Sequence, residues 1–291
     1  MIIVRIWEGL GNQLFQYAFA RAIELETKKK VRLDTKKIFE DYYNSGSIQR
    51  DYGLHNFRIK MKEVSKNDIR PYFFLKQHNK IEKSIFWLAT HHLWMFRFFE
   101  ERRENFSPEF RFFLGNYYFK GWFQNQKYFK KYRNLLLKEI KLRKKIKISN
   151  ELFSLLGEEE TVSVHIRRGD FIKIGIVLPK QYYINAFEQI EKTFENPKYL
   201  IFSDDLEWVK KNLEIDREFY YVNRDGKLRD YEELMIMSRC KHNIIANSTF
   251  SWWGAWLNQN ADKQVIAPKR WFLRADAKDD VCIIPEDWIR I

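Results

Sequence analysis

Four short polar clusters carry residue types able to do chemistry. Arg167, Arg168 and Asp170 follow an apolar run at 161–166, and Ser203, Asp204 and Asp205 follow another at 198–202. Asn247, Ser248, Thr249 and Ser251 follow a third at 243–246, and Gly9-Leu10-Gly11-Asn12-Gln13 follows a fourth at 2–6. A guanidinium is planar, forked and always charged, so Arg167 or Arg168 suits a diphosphate. Asn247-Ser248-Thr249 opens a run of helical spacing, where backbone N–H groups and the helix dipole favour an anion. Gly9 and Gly11 let a ligand approach the backbone. The carboxylates of Asp204 and Asp205 suit ribose hydroxyls, a guanine N–H edge or a metal. Each cluster alone also fits a local role. Arg167 to Asp170 can form a salt-bridged turn, and Asp205, Ser248 or Thr249 can cap a helix. Their convergence at strand ends is what favours a ligand site.

The elements that must position these residues are legible in the hydrophobic pattern. Residues 2–6 read as a buried strand, residues 12–27 as a helix through Leu14, Phe15, Ala18, Phe19, Ala22 and Ile23, and residues 31–33 as a second strand. This is a βαβ opening. Residues 35–115 show helical pieces near 62–69 and 80–99. Tyr117 to Phe123 reads as a strand and 125–147 as a basic amphipathic helix. Helix-forming residues 149–156 lead to an acidic run, Glu158 to Glu160, and the spacing puts a domain boundary near 150, giving domains 1–150 and 151–291. The second half then alternates. Strands are expected at 161–166, 198–202, 219–222, 243–246 and 264–267, with helices at 180–195, 206–213, 229–239 and 250–259. Such alternation predicts a parallel sheet covered on both faces, with ligands at the carboxyl ends of its strands. Trp252, Trp253 and Trp256 have the spacing of a buried helix face rather than of a stacking platform.

The bulk properties set limits. A chain of 291 residues suits two packed domains, and 45% apolar residues leave no disorder signature. The net charge of +13 suits an anionic partner without saying which, and solubility alone also accounts for it. Cys240 and Cys282 have no CxxC spacing, which argues against a disulfide scaffold or a Cys-rich zinc site and for a reducing compartment. No signal peptide is visible, and the aromatic stretch 84–99 is broken by His91, His92 and Arg97, too short and polar to span a bilayer. Gly9-Leu10-Gly11 lacks the third glycine of the dinucleotide fingerprint, and no P-loop is present. The basic stretch Lys127 to Lys147 raises a nucleic-acid reading, but no binding motif accompanies it. An anionic membrane surface, or simply a solvated helix face, fits it better.

The blocks Gly9-Leu10-Gly11-Asn12-Gln13-Leu14-Phe15-Gln16-Tyr17-Ala18, His165-Ile166-Arg167-Arg168-Gly169-Asp170, Ser203-Asp204-Asp205 and Asn247-Ser248-Thr249-Phe250-Ser251-Trp252-Trp253-Gly254-Ala255-Trp256-Leu257 resemble the α-1,2-fucosyltransferases of glycosyltransferase family 11. The likeness runs from residue 1 to about 288. The HxRRxD block alone is shared with fucosyltransferases that make α-1,6, plant xyloglucan and protein O-linked products.

The resemblance implies an α/β, GT-B-like fold, two Rossmann-like domains with a donor-binding cleft between them. It implies GDP-fucose as donor, inversion at the anomeric carbon, no required metal or other cofactor, and a terminal galactose as acceptor. Arg167 would grip the β-phosphate and His165 would lie against the nucleotide. Asp204 or Asp205 would read guanine or ribose, with Arg168 and Ser203 beside them. Ser248 and Thr249 would bind phosphate next to Asn247, and Asn12 would sit near the donor sugar. The mammalian members carry an N-terminal anchor; this chain looks like the bacterial form, cytoplasmic or peripheral at an anionic membrane, acting on lipopolysaccharide or capsule precursors. One departure concerns the base. The α-1,6 relatives place a Glu shortly after the Asp of HxRRxD, and here Phe171-Ile172-Lys173-Ile174-Gly175 follows. Asp170 is then the first candidate base, with orientation of Arg167 or Arg168 as its alternative role.

Overall fold

The computed structural model describes residues 1–35, 51–65, 68, 97–101, 116–158, 160–213, 217–273 and 283–291. The chain divides into two compact units, Met1–Arg143 and Lys144–Ile291.

The first unit is a four-stranded parallel sheet in the order β2-β1-β4-β3. Its strands are β1 (Ile2–Arg5), β2 (Val31–Asp34), β3 (Arg97–Glu100) and β4 (Tyr117–Lys120). The 18-residue helix α1 (Leu10–Thr27) links β1 to β2. Leu14, Phe15, Ala18, Phe19, Ala22 and Ile23 recur at helical spacing and are buried, which is what fixes α1 on the sheet. Phe19 stacks on Phe123 at 3.6 Å, and Phe15 meets Phe129 edge-on. Helix α1 begins at Leu10, so Gly11 and Asn12 lie in its first turn and Gly9 is its N-cap. Neither glycine takes the left-handed conformation. It falls on Glu8, at φ 62°.

Two expectations for this unit need correction. Residues 125–147 do not form one helix. Single 3-10 turns at Gln126–Tyr128 and Lys130–Tyr132 lead into the short α2 (Arg133–Glu139), and the chain is irregular from 140 onward. Phe129 (φ −137°) breaks the helical path so that Tyr128 and Phe129 can both enter the core. Continued past Glu139, the helix would stack the like charges of Lys138, Lys141, Lys144 and Lys145 three and four residues apart, which disfavours it. The backbone instead bridges Leu142 to Phe57. The helix expected over 80–99 falls outside the described residues up to 96, and 97–100 is strand β3. The helix expected near 62–69 is absent over 62–65, where Glu63 bridges Leu33; of the rest, only Asp68 is described, and it is helical.

The second unit opens with α3 (Asn150–Glu158) and is built on a six-stranded parallel sheet in the order β10-β9-β8-β5-β6-β7. The strands are β5 (Thr161–Ile166), β6 (Lys198–Ser203), β7 (Phe219–Tyr221), β8 (His242–Ile244), β9 (Val265–Ala267) and β10 (Ile289–Arg290). The helices between them are α4 (Gly169–Ile174), α5 (Lys180–Glu191), α6 (Leu206–Leu213), α7 (Asp230–Met237) and α8 (Thr249–Leu257). All six residues of β5 are buried, as a central parallel strand requires. Tyr182, Tyr183, Ala186, Phe187 and Ile190 of α5 cover one part of the core, and Leu152, Leu156, Ile236 and Met237 contribute to another. Trp252, Trp253 and Trp256 are core residues, as their spacing predicts. Cys240 is a buried free thiol whose pKa burial pushes up to about 12, so it is unreactive; Cys282 lies outside the described residues. Among the described residues no helix is long and apolar enough to cross a membrane.

The close approach of α7 and α8 depends on Gly254. A Cβ there would lie 2.9 Å from the Met237 Cβ, an atom fixed to the α7 backbone. Gly254→Ala is therefore expected to destabilise the second unit by about 1–3 kcal/mol through overpacking. Denaturant titration checks this; an unchanged midpoint would mean that α7 shifts at no cost.

Candidate functional site

In the second sheet the chain runs outward through β5, β6 and β7, then returns to β8 on the other side of β5. The order reverses between β5 and β8, and this switch point is where open parallel sheets bind ligands. Three of the polar clusters meet at or beside it. His165 to Asp170 leave β5, Asn247 to Ser251 leave β8, and Ser203 to Asp205 leave the adjacent β6.

The arginines are held by three carboxylates. Arg167 Nη2 pairs with Asp170 at 2.7 Å, and Nη1 with Asp204 at 2.8 Å. Arg168 Nε donates to Asp205 at 2.9 Å, its backbone N–H donates to Asp204 at 2.8 Å, and its guanidinium lies 4.0 Å from the Trp208 ring centroid. Gly169 makes the turn possible, since a Cβ there would lie 2.8 Å from Asp204 Oδ2. Asp205 also caps α6, accepting from the Trp208 N–H at 3.1 Å, while Ser203 Oγ accepts from the Asp205 N–H. Asp205 thus has the capping role open to it in the sequence and an arginine partner as well. Trp208 and the six-residue α4 were not singled out in the sequence. A cation-π platform has no local signature, and α4 is too short for periodicity to show.

Ser248 caps α8 through the Phe250 N–H, and Thr249 is the first residue of that helix. Asn247 spends its Nδ2 on the carbonyls of Ile176 and Trp271, bracing two loops. Its Oδ1 and the Nδ1 of His165 are buried without a hydrogen-bond partner among the described residues. Buried polar atoms are normally paired, so two orphans at one sheet edge suit a polar ligand.

His165 is 7% exposed, its ring 5.5 Å from that of Phe250. Burial, then the Arg167 charge, lower its pKa to about 3, so the folded protein holds it neutral. The unfolded chain takes up that proton near pH 6.5. The stability this contributes is therefore present above pH 6.5 and is lost as pH falls toward 3. At pH 4.5 the loss is about 2–3 kcal/mol relative to neutral pH. Unfolding free energies of the wild type and His165→Asn across pH 4.5–7.5 check this, because the difference removes the carboxylates common to both. A pH-independent difference would contradict the assignment.

In the first unit Asn12 Nδ2 donates to Glu8 Oε2 at 2.5 Å, and Asn12 Oδ1 accepts from Gln124 at 2.7 Å. Gln13 donates to the Glu8 carbonyl and accepts from the Gly53 N–H, tying the loop after β1 to residues 51–53. Gly11 is buried in the helix and Gly9 is half-buried.

Among solved structures, a mutant of Arabidopsis thaliana FUT1 in complex with GDP has a TM-score of 0.51 over 91% of this chain and 69% of its own, at 12% identity. With the two parallel α/β sheets, this makes the fold GT-B-like. The Glycosyl transferase family 11 model matches residues 1–291. An Escherichia coli protein named alpha-1,2-colitosyltransferase is 33% identical over 100% of this chain and 99% of its own. The Escherichia coli O-antigen biosynthesis glycosyltransferase WbnK is 31% identical over 91% and 92%. The mouse galactoside 2-alpha-L-fucosyltransferase Sec1 is 25% identical over 88% and 64%. The chain belongs to glycosyl transferase family 11, as the HxRRxD and Trp-rich blocks foretold, and is a glycosyltransferase.

Proposed function

We propose that the protein transfers L-fucose from GDP-fucose to the 2-hydroxyl of a terminal galactose, inverting the anomeric centre and requiring no metal. The observation that carries this reading is the arginine pair at the switch point of the second sheet. Two oriented guanidinium groups, the orphan atoms of His165 and Asn247, and the N-terminus of α8 suit a nucleoside diphosphate. When the glycosidic bond breaks, charge develops on the departing diphosphate, and a preorganised cation there lowers the barrier.

The five charged side chains of the cluster, two arginines and three aspartates, sum to −1. A diphosphate must therefore take over part of a guanidinium fork. Asp170 is the partner that yields, being 42% exposed against 26% for Asp204. Asp204 is also tied to the Arg168 backbone and continues to orient Arg167. In this reading Asp170 is a gate on Arg167.

A different donor sugar is the second reading, favoured by the 33% identity to the protein named as a colitosyltransferase. The O-antigen name of WbnK supports a glycan acceptor of the lipopolysaccharide type. A peripheral contact with an anionic membrane, through the exposed Lys138, Lys141, Lys144, Lys145 and Lys147, is part of the proposal; absence of flotation with acidic vesicles at low salt removes it. The deciding assay offers GDP-fucose and GDP-colitose, in EDTA, with a panel of galactosides, and reads product linkage by NMR. A Fuc-α-1,2-Gal product is expected. Transfer from GDP-colitose alone would overturn the donor, and transfer only with added divalent ions would overturn metal independence.

A further inference from the structure

Two buried atoms at the β5–β8 switch point, Asn247 Oδ1 and His165 Nδ1, have no hydrogen-bond partner among the described residues. Asn247 is 7% exposed, and its Nδ2 donates to the Ile176 carbonyl at 3.0 Å and to the Trp271 carbonyl at 3.4 Å. Only an amide nitrogen can face two carbonyls, so these bonds fix which end of the side chain is which. The oxygen is turned away from both loops, and it only accepts. Whatever satisfies it must bring an N–H or an O–H. The imidazole of His165 is held neutral by burial, and its unpaired nitrogen is met by the same kind of group, since a hydroxyl both donates and accepts.

This requirement separates the parts of a nucleotide sugar. A diphosphate at neutral pH brings oxygens with almost no protons. It can pair with Arg167, Arg168 and the N-terminus of α8, but not with Asn247 Oδ1. The donors that remain belong to the nucleoside and to the sugar, and the strand order divides them. Asp204 and Asp205 leave β6 on one side of β5, and carboxylates suit the N–H edge of a base or ribose hydroxyls. Asn247 follows β8 on the other side of β5. Val164 of β5 pairs with Ile244 of β8, and three residues further along each chain stand Arg167 and Asn247. With the nucleoside toward β6 and the diphosphate at Arg167, the sugar end of the ligand falls toward Asn247.

We infer that Asn247 Oδ1 accepts from a ring hydroxyl of the donor sugar and thereby selects which sugar is transferred. This rests on the GDP-sugar reading above. The two donors weighed there differ by one such group, since colitose is fucose without its 3-hydroxyl. A buried acceptor built for a hydroxyl discriminates strongly against an analogue that lacks it, because the acceptor is then left unpaired. A purely apolar pocket has no such power.

The test compares kcat/KM for GDP-fucose and its 2-deoxy, 3-deoxy and 4-deoxy analogues in the wild type and in Asn247→Ala. In the wild type one analogue should fall at least about 100-fold below GDP-fucose. In Asn247→Ala that gap should shrink to within about tenfold, through a loss with GDP-fucose that the penalised analogue does not share. Kd for GDP, which carries no donor sugar, should stay within about threefold of wild type. Wild-type values within about tenfold of one another for all four donors would overturn the inference, whether or not the variant folds. An undiminished gap in Asn247→Ala would also overturn it, leaving the amide as a brace for Ile176 and Trp271 alone. So would a loss of GDP affinity equal to the loss with GDP-fucose, which puts the hydrogen bond on the nucleoside. A wild type that transfers from none of the four donors overturns the GDP-sugar reading, and this inference with it, by a result distinct from the others.

Discussion

Replacing Arg167 by alanine is expected to lower transfer by about 10³-fold or more while leaving the fold intact. The side chain offers two nitrogens, 2.7 and 2.8 Å from its present carboxylate partners, to a charge that grows as the donor bond breaks. Removing one oriented donor from such a site costs about 10²–10³-fold, and here the positive charge goes as well. The change also leaves Asp170 and Asp204 facing a bound diphosphate without their shared cation, which adds repulsion. Arg167→Lys keeps the charge and loses the fork, so its rate should lie between the two. The stability effect is small, below about 1 kcal/mol, because both carboxylates are partly exposed. Steady-state kinetics beside thermal melts check this. Normal turnover in Arg167→Ala would remove the clamp.

The largest expected stability effect lies in the first unit. Glu139, 2% exposed, accepts from the Tyr17 hydroxyl at 2.5 Å and pairs with Arg21 Nη2 at 2.9 Å, tying α2 to α1. Burial, and then Glu139 itself, raise the Tyr17 pKa, so the phenol is a fixed donor. Glu139→Ala strands a buried hydroxyl and takes from Arg21 its buried partner, leaving the guanidinium only Glu24 at Nη1. Breaking a buried pair from one side costs about 3–5 kcal/mol. At roughly 3 °C per kcal/mol for a unit of this size, melting of the first unit should fall by about 10 °C. A fall of under about 3 °C would show that Glu24, already paired with Arg21, and water suffice to hold the guanidinium.

The second unit was largely legible because its strands are short apolar runs flanked by polar clusters, and each run is buried in a parallel sheet. The pattern of Thr161 to Ile166 has only one reading once helices bracket it. The first unit was less so. The apolar positions of 125–147 fit a helix, yet Phe129 leaves the helical path to reach Phe15, a packing preference no local pattern records. At the candidate site, the types and order of Arg167, Arg168, Asp170, Asp204 and Asp205 could be read from the chain. Which carboxylate holds which arginine could not, because that depends on how β5 and β6 align. Glu8 was hidden for a related reason. It stands beside Gly9 and Gly11, where a glycine was the natural choice for the strained position, and while its partner Asn12 is close in the chain, its partner Trp122 lies beyond β4.

The central claim is that the arginine pair at the β5–β8 switch point holds a guanosine diphosphate. Calorimetric titration of GDP, in EDTA, into the wild type and Arg167→Ala tests it most directly. Micromolar binding is expected for the wild type, at least about tenfold weaker in the variant and weaker again for UDP or CDP. Equal affinity for all three nucleotides, or GDP binding unaffected by the loss of Arg167, would contradict it.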